Sequence, residues 1–197
     1  MKTVCIEKRG TLGGTCLNVG CIPSKALLNT THKYHDALHN FKEMGIDTGP
    51  VTINFPALMK GKDKAVTGLT SGIEFLFKKY KVDYMKGWGK FESATDISVE
   101  DNDGKKLMVK AKNTIIATGS EPATFPQGVL DVDEKFVVTS TGALELGKIP
   151  KRMIVIGGGV IGLEMGSVYT RLGTEVTVLQ HTDVICPFLD REVANVF

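Results

Sequence analysis

The sequence predicts an α/β fold, and three observations carry that expectation. An apolar run, Met153-Ile154-Val155-Ile156, leads into the turn Gly157-Gly158-Gly159-Val160-Ile161-Gly162, followed by helical spacing from Leu163 to Leu172 and a second strand from Glu175 to Leu179. A short apolar stretch, Thr3-Val4-Cys5-Ile6-Glu7, has strand composition and ends in an acid. Between these lie several short segments separated by turn residues, the pattern of a β-meander. A G-x-G-x-x-G run by itself is a weak signal. Flanked by an apolar strand and a helix it is a strong one, and it marks a Rossmann-like unit.

Size and charge bound the function. The chain has 197 residues, enough for one large domain or two small ones. Its formal net charge is +2 and it has no basic block, which argues against nucleic acid as a partner. No apolar run approaches the length of a membrane span, and the first residues do not read as a signal peptide. Four cysteines are too few and too scattered for a secreted disulfide scaffold. That favours a reducing compartment, an intracellular protein and a catalytic pair.

Taken in order, Thr3 to Glu7 is the first strand. A carboxylate at the end of a second Rossmann strand accepts hydrogen bonds from a ribose, whereas a strand-ending Glu in isolation is commonly just a solvated terminus. Cys5 points the other way and reads as an inert core residue. Gly20 to about Phe41 is expected to be a helix with Leu27, Leu28 and Ala37 inward and Pro23 in its first turn. His32, His35 and His39 share one face of it. A metal site, a plain solvated face and the border of a solvent channel are all readings of that trio, and the absence of an acid or cysteine partner favours the second.

Ile53 to Phe77 reads as a long amphipathic helix with Phe55, Leu58, Met59, Val66, Leu69, Ile73 and Leu76 inward. Lys60, Lys62 and Lys64 form its solvated face. Gly61, Gly68 and Gly72 suggest close packing of one backbone on another. Strands are expected at Val82 to Met85, Gly87 to Phe91, Asp96 to Val99 and Lys106 to Ala111, with a hairpin turn at Asp101-Asn102-Asp103-Gly104. Thr114 to Ala117 is expected as a buried strand running into the small-residue turn Thr118-Gly119-Ser120. Pro122, Pro126 and Pro150 punctuate a crossover between Ser120 and Lys151. In the glycine turn, Gly157 permits the tight bend, Gly159 admits a pyrophosphate close to the backbone, and Gly162 permits helix-on-strand packing.

The stretch from Gly13 to Lys25, Gly-Gly-Thr-Cys-Leu-Asn-Val-Gly-Cys-Ile-Pro-Ser-Lys, holds the chemistry. Cys16 and Cys21 do not share a helix face, so the backbone between them must distort if their sulfurs are to bond. Thiolates beside a helix N-terminus and a lysine are stabilised as anions, which suits a reactive disulfide. Two buried structural cysteines are the alternative, since free cysteine is among the most buried residue types.

That string closely resembles the redox motif of the flavin disulfide reductases, the class I pyridine nucleotide-disulfide oxidoreductases. Ser24 separates it from glutathione- and trypanothione-reductase-like members, which usually carry lysine there. Mercuric reductases share Ser24. Ile22 and Ala26-Leu27-Leu28-Asn29 look most like the dihydrolipoamide dehydrogenase branch. The resemblance runs along the whole chain and implies incomplete FAD/NAD(P)-binding Rossmann-like domains with an inserted β-meander. Residues 1–120 would form a partial FAD-binding domain lacking its first strand and glycine turn. Residues 121–150 would form the crossover, and residues 151–197 the start of an NAD-binding domain.

The resemblance also implies roles. FAD and NAD are the cofactors, and Cys16 and Cys21 form the redox disulfide. Cys16 is the interchange sulfur attacked by a substrate thiolate, Cys21 faces the flavin, and Lys25 lies near the flavin ring. Glu7, Gly14, Thr15, Gly89, Thr118, Gly119 and Ser120 contact FAD. Gly157, Gly159, Val160, Ile161, Gly162, Glu164 and Gln180 are placed toward the nicotinamide nucleotide. Implied partners are the dihydrolipoyl group on the acyltransferase subunit of a 2-oxo acid dehydrogenase complex and a second copy of the chain in a homodimer. The catalytic base, a histidine that none of the four here matches, and the dimerisation domain are expected beyond Phe197. The compartment expected is the mitochondrial matrix in a eukaryote, or otherwise the cytoplasm. A truncated product that keeps the motifs without turnover is the non-enzymatic alternative. One departure stands out: Gln180 occupies the strand end where an NAD site carries an acid, which predicts weaker discrimination against NADP. Cys186 has no implied role.

Overall fold

A computed structural model describes residues 1–196. Two compact units are present, and neither is contiguous in sequence: one comprises 1–18 and 66–121, the other 19–65 and 122 onward. The compact units therefore cut across the contiguous stretch 1–120, because residues 19–65 pack with the later part of the chain.

In the first unit, strand β1 (Thr3–Glu7) pairs in parallel with β2 (Val82–Lys86), from Thr3 opposite Val82 to Glu7 opposite Lys86. The ladder ends where the Gly87 N–H donates to the Glu7 carbonyl at 3.1 Å. A second, antiparallel sheet is built from β3 (Trp88–Phe91), β4 (Asp96–Glu100) and β5 (Lys106–Lys110). Ile97 and Val99 of β4 fill its inner face, at 7% and 2% exposure. The hairpin between β4 and β5 closes as the sequence suggests. The Asp101 carboxylate accepts the N–H groups of Asp103 and Lys105, and Gly104 sits at φ 79°, the left-handed region that glycine enters at no steric cost.

Thr114 to Ala117 is not a buried strand. Residues 113–126 carry no regular structure, and Ile115 and Ile116 are 91% and 72% exposed. A strand is made by its neighbour's hydrogen bonds, and among the described residues no strand pairs with this segment.

The helices follow local chemistry at their ends. The helix expected from Gly20 to about Phe41 is α2 (Cys21–His39), and a short helix that the sequence reading did not include, α1 (Gly14–Val19), precedes it, with Gly20 between them at φ −139° and ψ −112°. Pro23 lies in the first turn of α2, where its missing N–H costs nothing. Helix α3 (Phe55–Tyr80) begins where the Asn54 side chain accepts the Ala57 N–H at 3.0 Å. Three expectations for α3 are corrected. Lys62 is buried at 2% exposure, its ammonium donating to the Leu144 carbonyl at 2.8 Å and the Glu145 carboxylate at 2.5 Å. A Cβ at Gly61, Gly68 or Gly72 would meet nothing within 4 Å, so these glycines do not mark close backbone packing. Leu69 and Leu76 are exposed at 46% and 45% rather than turned inward.

The core of the second unit gathers Leu27 of α2, Phe55 and Leu58 of α3, Ala143 of the short helix α4 (Ser140–Ala143), and Met165, Val168, Tyr169 and Leu172. The last four come from or adjoin α5 (Val160–Arg171), which follows β6 (Arg152–Ile156) and precedes its parallel partner β7 (Glu175–Leu179). Burial of each large apolar side chain here contributes about 1.5–3 kcal/mol. Tyr169 is fully buried, and its hydroxyl donates to the Ala143 carbonyl at 2.5 Å. Desolvation, then the charge of Glu145, pushes its phenol up to about 12. A last short helix, α6 (Arg191–Ala194), is capped by Asp190.

Candidate functional site

The cysteine string folds as two helices, with Cys16 in the first half of α1 and Cys21 opening α2. Gly13 (φ 108°) and Gly14 (φ 63°) turn the chain into α1 through left-handed conformations. Asn18 pins that turn from the far end of α1. Its amide donates to the Leu12 and Gly14 carbonyls at 3.1 and 2.9 Å and its carbonyl accepts the Thr11 hydroxyl at 2.8 Å. Cys16 and Cys21 are disulfide-bonded to each other, whereas Cys5 and Cys186 are free. Both disulfide cysteines are exposed residues. Of the two sequence readings, a buried structural pair is therefore excluded. Cys5 differs in kind: burial, then the nearby Glu7 charge, raises its thiol pKa, which keeps it protonated and unreactive.

In the first unit the acid at the end of β1 is already oriented. The Glu7 carboxylate accepts the Arg9 N–H at 2.8 Å. Beside it opens a groove of about 630 Å³ lined by Lys8, Arg9, Trp88, Glu100, Asp101, Asn102 and Glu121. The Lys8 ammonium sits 4.5 Å over the Trp88 ring and pairs with Glu121. Hydrogen bonding to Lys8, and then its charge, hold the Glu121 carboxyl below its ordinary range. Lys8 and Trp88 were not singled out in the sequence; their signal was adjacency to Glu7 and Gly89. A Cβ on Gly89 would stand 3.3 Å from Ile6 Cγ2, so packing against β1 already favours glycine there. Gly119 (φ 76°) approaches the Thr15 hydroxyl, at 3.7 Å from its ideal Cβ. Thr118, Gly119 and Ser120 are exposed, and above Gly14 a Cβ would meet nothing within 4 Å. These residues fit the ribose end and the close-approach surface of a dinucleotide. No G-x-G-x-x-G run lies between residues 1 and 150 to hold a pyrophosphate for it.

In the second unit the glycine turn at residues 157–162 joins β6 to α5. Gly157 adopts φ 105° and donates its N–H to the Leu179 carbonyl at 2.8 Å, tying the turn to β7. Helix α5 starts at Val160 with Gly159 as its N-cap (φ −83°, ψ 174°), three residues earlier than the sequence suggested. A Cβ on Gly159 would meet no atom within 4 Å, so open space lies over a helix N-terminus with free N–H groups. Val160 and Ile161 are exposed there, at 43% and 62%. A Cβ on Gly162 would instead lie 2.3 Å from the Gly157 carbonyl oxygen and 3.0 Å from Val155. The arrangement fits a dinucleotide pyrophosphate at Gly159, backed by helix-on-strand contact at Gly162.

Two side chains named separately in the sequence meet in this unit. The Lys25 ammonium, on α2, lies 2.5 Å from the Glu164 carboxylate on α5, with side chains 60% and 24% exposed. Gln180 does not point a free amide outward. Its Oε1 accepts the Gly158 N–H at 2.7 Å, and its Nε2 donates to Thr182 Oγ1 at 2.7 Å. Thr182 was not flagged by sequence; its signal was adjacency to Gln180, two residues before it. On α2 the histidines do have an acid beside them, contrary to the sequence reading: His32 Nε2 lies 3.3 Å from the Asp36 carboxylate, and the His35 and His39 rings are 4.6 Å apart. Among the described residues no group of three His, Cys, Asp or Glu side chains is arranged to hold a metal. No described helix is long and apolar enough to cross a membrane.

Comparison with known proteins agrees with this chemistry. The family model for pyridine nucleotide-disulphide oxidoreductases matches residues 1–197. Dihydrolipoamide dehydrogenase from Chaetomium thermophilum is 57% identical over 99% of this chain and 38% of its own length. Mitochondrial dihydrolipoyl dehydrogenase 1 from Arabidopsis thaliana is 55% identical over the whole chain and 38% of its own length. The chain thus spans well under half the length of these curated relatives. The crystal structure of LpdA from Mycobacterium tuberculosis superposes with a TM-score of 0.87 at 25% identity, covering 99% of this chain and 42% of that one. On these grounds the chain belongs to the pyridine nucleotide-disulphide oxidoreductase family.

Proposed function

We propose that this chain is the disulfide-bearing segment of a dihydrolipoyl dehydrogenase. The reaction is oxidation of a protein-bound dihydrolipoyl group of a 2-oxo acid dehydrogenase complex, with NAD as final acceptor. The observation that carries this reading is the exposed Cys16–Cys21 disulfide at the junction of α1 and α2. The names and identities of the relatives support the substrate. Residues 1–120 are read as part of an FAD-binding domain, 121–150 as the crossover, and 151–197 as the beginning of an NAD-binding domain.

The roles of the two sulfurs are those that the family resemblance assigns. One thiolate of the substrate attacks Cys16 Sγ, forming a mixed disulfide and releasing Cys21 as a thiolate. The second substrate thiolate then attacks its own sulfur in the mixed disulfide, giving oxidised substrate and a Cys16 thiolate. The substrate has given two electrons to the cysteine pair, and its two thiol protons pass to solvent as each thiolate forms. When bound, FAD supplies the two-electron acceptor that reoxidises the pair and NAD the acceptor that removes those electrons. Lys25, held by Glu164, places a positive charge one turn from Cys21 that favours the leaving thiolate. Glu7, Gly14, Thr15, Gly89 and residues 118–120 would hold FAD, and Gly157, Gly159 to Gly162, Glu164 and Gln180 the nicotinamide nucleotide. The homodimeric state belongs to the same proposal through the family resemblance, and the mitochondrial matrix as compartment is supported by the mitochondrial names of relatives.

The test is a flavin absorbance spectrum of the purified chain with FAD, followed by anaerobic addition of dihydrolipoamide. Bound flavin that bleaches on adding the dithiol, and does not in Cys16→Ser, supports the reading. Bound flavin indifferent to dihydrolipoamide would overturn it.

A further inference from the structure

We propose that Gln180 sets the nucleotide preference of the glycine-turn site and relaxes it, so that NAD and NADP bind with similar affinity. This rests on reading that turn as the nicotinamide-nucleotide site.

The carboxamide is fixed from both sides. Gly158 offers an N–H, so the atom 2.7 Å from it must be the acceptor, Oε1. At the other end, Thr182 Oγ1 lies 2.9 Å from the Val184 carbonyl, which can only accept. The Thr182 hydroxyl proton is therefore committed to Val184. Its oxygen must accept from Gln180, at 2.7 Å, which places Nε2 there. Nε2 also lies 3.4 Å from the Val184 carbonyl, again a donor's position. The loop after β7 is closed over the turn by the same network, because Cys186 donates its N–H to the Gly158 carbonyl at 2.8 Å. Gly158 is thus held on both its N–H and its carbonyl.

A glutamate at this position has two accepting oxygens. One can take the turn N–H, and the other accepts from the ribose hydroxyls while its charge repels a 2′-phosphate. Here the second position is an uncharged donor already engaged by Thr182. The ribose diol loses an acceptor and a 2′-phosphate meets no carboxylate at this position. The strand and the loop after it offer that phosphate no lysine or arginine either. From Glu175 to Asp190 the sequence contains no lysine or arginine, and His181 is followed closely by Asp183, both exposed. The preference is therefore relaxed, not reversed.

Equilibrium binding of NADH and NADPH to the purified 197-residue chain, by titration calorimetry, tests this. For the wild type the two dissociation constants should agree within about fivefold, and Gln180→Glu should shift their ratio toward NADH by about tenfold or more. A wild-type preference for NADH beyond about thirtyfold, or a Gln180→Glu ratio equal to that of the wild type, overturns the proposal. If Gln180→Glu does not fold, Gln180→Ala replaces it. The ratio should then stay within about fivefold, and a tenfold swing toward NADH would overturn the idea. A wild-type chain that binds NADH selectively refutes the preference and leaves the site standing. One that binds neither nucleotide refutes both.

Discussion

Gly159 and Gly162 lie three residues apart in one turn, yet the structure assigns them opposite liabilities. An alanine Cβ at Gly162 would sit 2.3 Å from the Gly157 carbonyl oxygen, more than an ångström inside the 3.4 Å where ordinary contact begins. The obstructing atom is backbone, and the same residue is tied to β7 through its N–H, so it cannot simply swing away. Against a fixed backbone atom the overpacking cost falls in the upper part of its usual range, about 2–3 kcal/mol, and the better helix propensity of alanine offsets about 1 kcal/mol of it. The net loss of about 1–2 kcal/mol lowers the melting temperature by about 2–8 °C in a chain of this size. At Gly159 the backbone is at φ −83°, open to any residue, and the new Cβ meets nothing. Gly159→Ala should leave stability within about 0.5 kcal/mol of the wild type. Its methyl group fills the open space over the α5 N-terminus, so NADH affinity should fall at least about tenfold. Thermal melts by circular dichroism and NADH titration on both variants are the assays. A Gly162→Ala chain as stable as the wild type, or a Gly159→Ala chain with unchanged NADH affinity, would refute the reasoning.

Other perturbations separate burial from surface chemistry. Tyr169→Phe strands the buried Ala143 carbonyl and should cost about 1–3 kcal/mol in urea denaturation. Because the folded phenol is raised to about 12 from 10.0, its contribution is complete below pH 10 and is lost as pH rises toward 12. The wild type should therefore lose stability across that window by up to roughly 2–3 kcal/mol, and Tyr169→Phe should lack this component. Lys62→Ala removes the donor from the Leu144 carbonyl and should destabilise by about 1–3 kcal/mol, while Lys60→Ala and Lys64→Ala stay within about 0.5 kcal/mol. Equal effects at the three lysines would contradict the burial of Lys62.

What the sequence made legible was what is specified locally. The β6–turn–α5–β7 unit announces itself through an apolar run, glycines at fixed spacing and a helical period, all within about 28 residues. The hairpin at Asp101–Gly104 is likewise written in its own side chains. What escaped depends on partners distant in sequence. Lys60, Lys62 and Lys64 look alike along the chain, and only the carbonyl of Leu144, 82 residues away, distinguishes one of them. Ile115 and Ile116 look buried, but a strand needs a ladder that the described residues do not give it. Lys25 and Glu164 were each legible as site residues, whereas their pairing across 139 positions was not. Gln180 was visible as a departure, but the commitment of its amide to Gly158 and Thr182 emerges only once the loop is folded.

The central claim is that Cys16 and Cys21 form a reversible two-electron couple that exchanges with a dithiol substrate. Thiol mapping by mass spectrometry, after equilibration in buffers of varied dihydrolipoamide-to-lipoamide ratio, tests it directly. Cys16 and Cys21 should become alkylatable together, as one transition across the buffer range, while Cys5 and Cys186 do not change with it. A pair that stays oxidised at every ratio, or a single cysteine that titrates alone, would contradict the account.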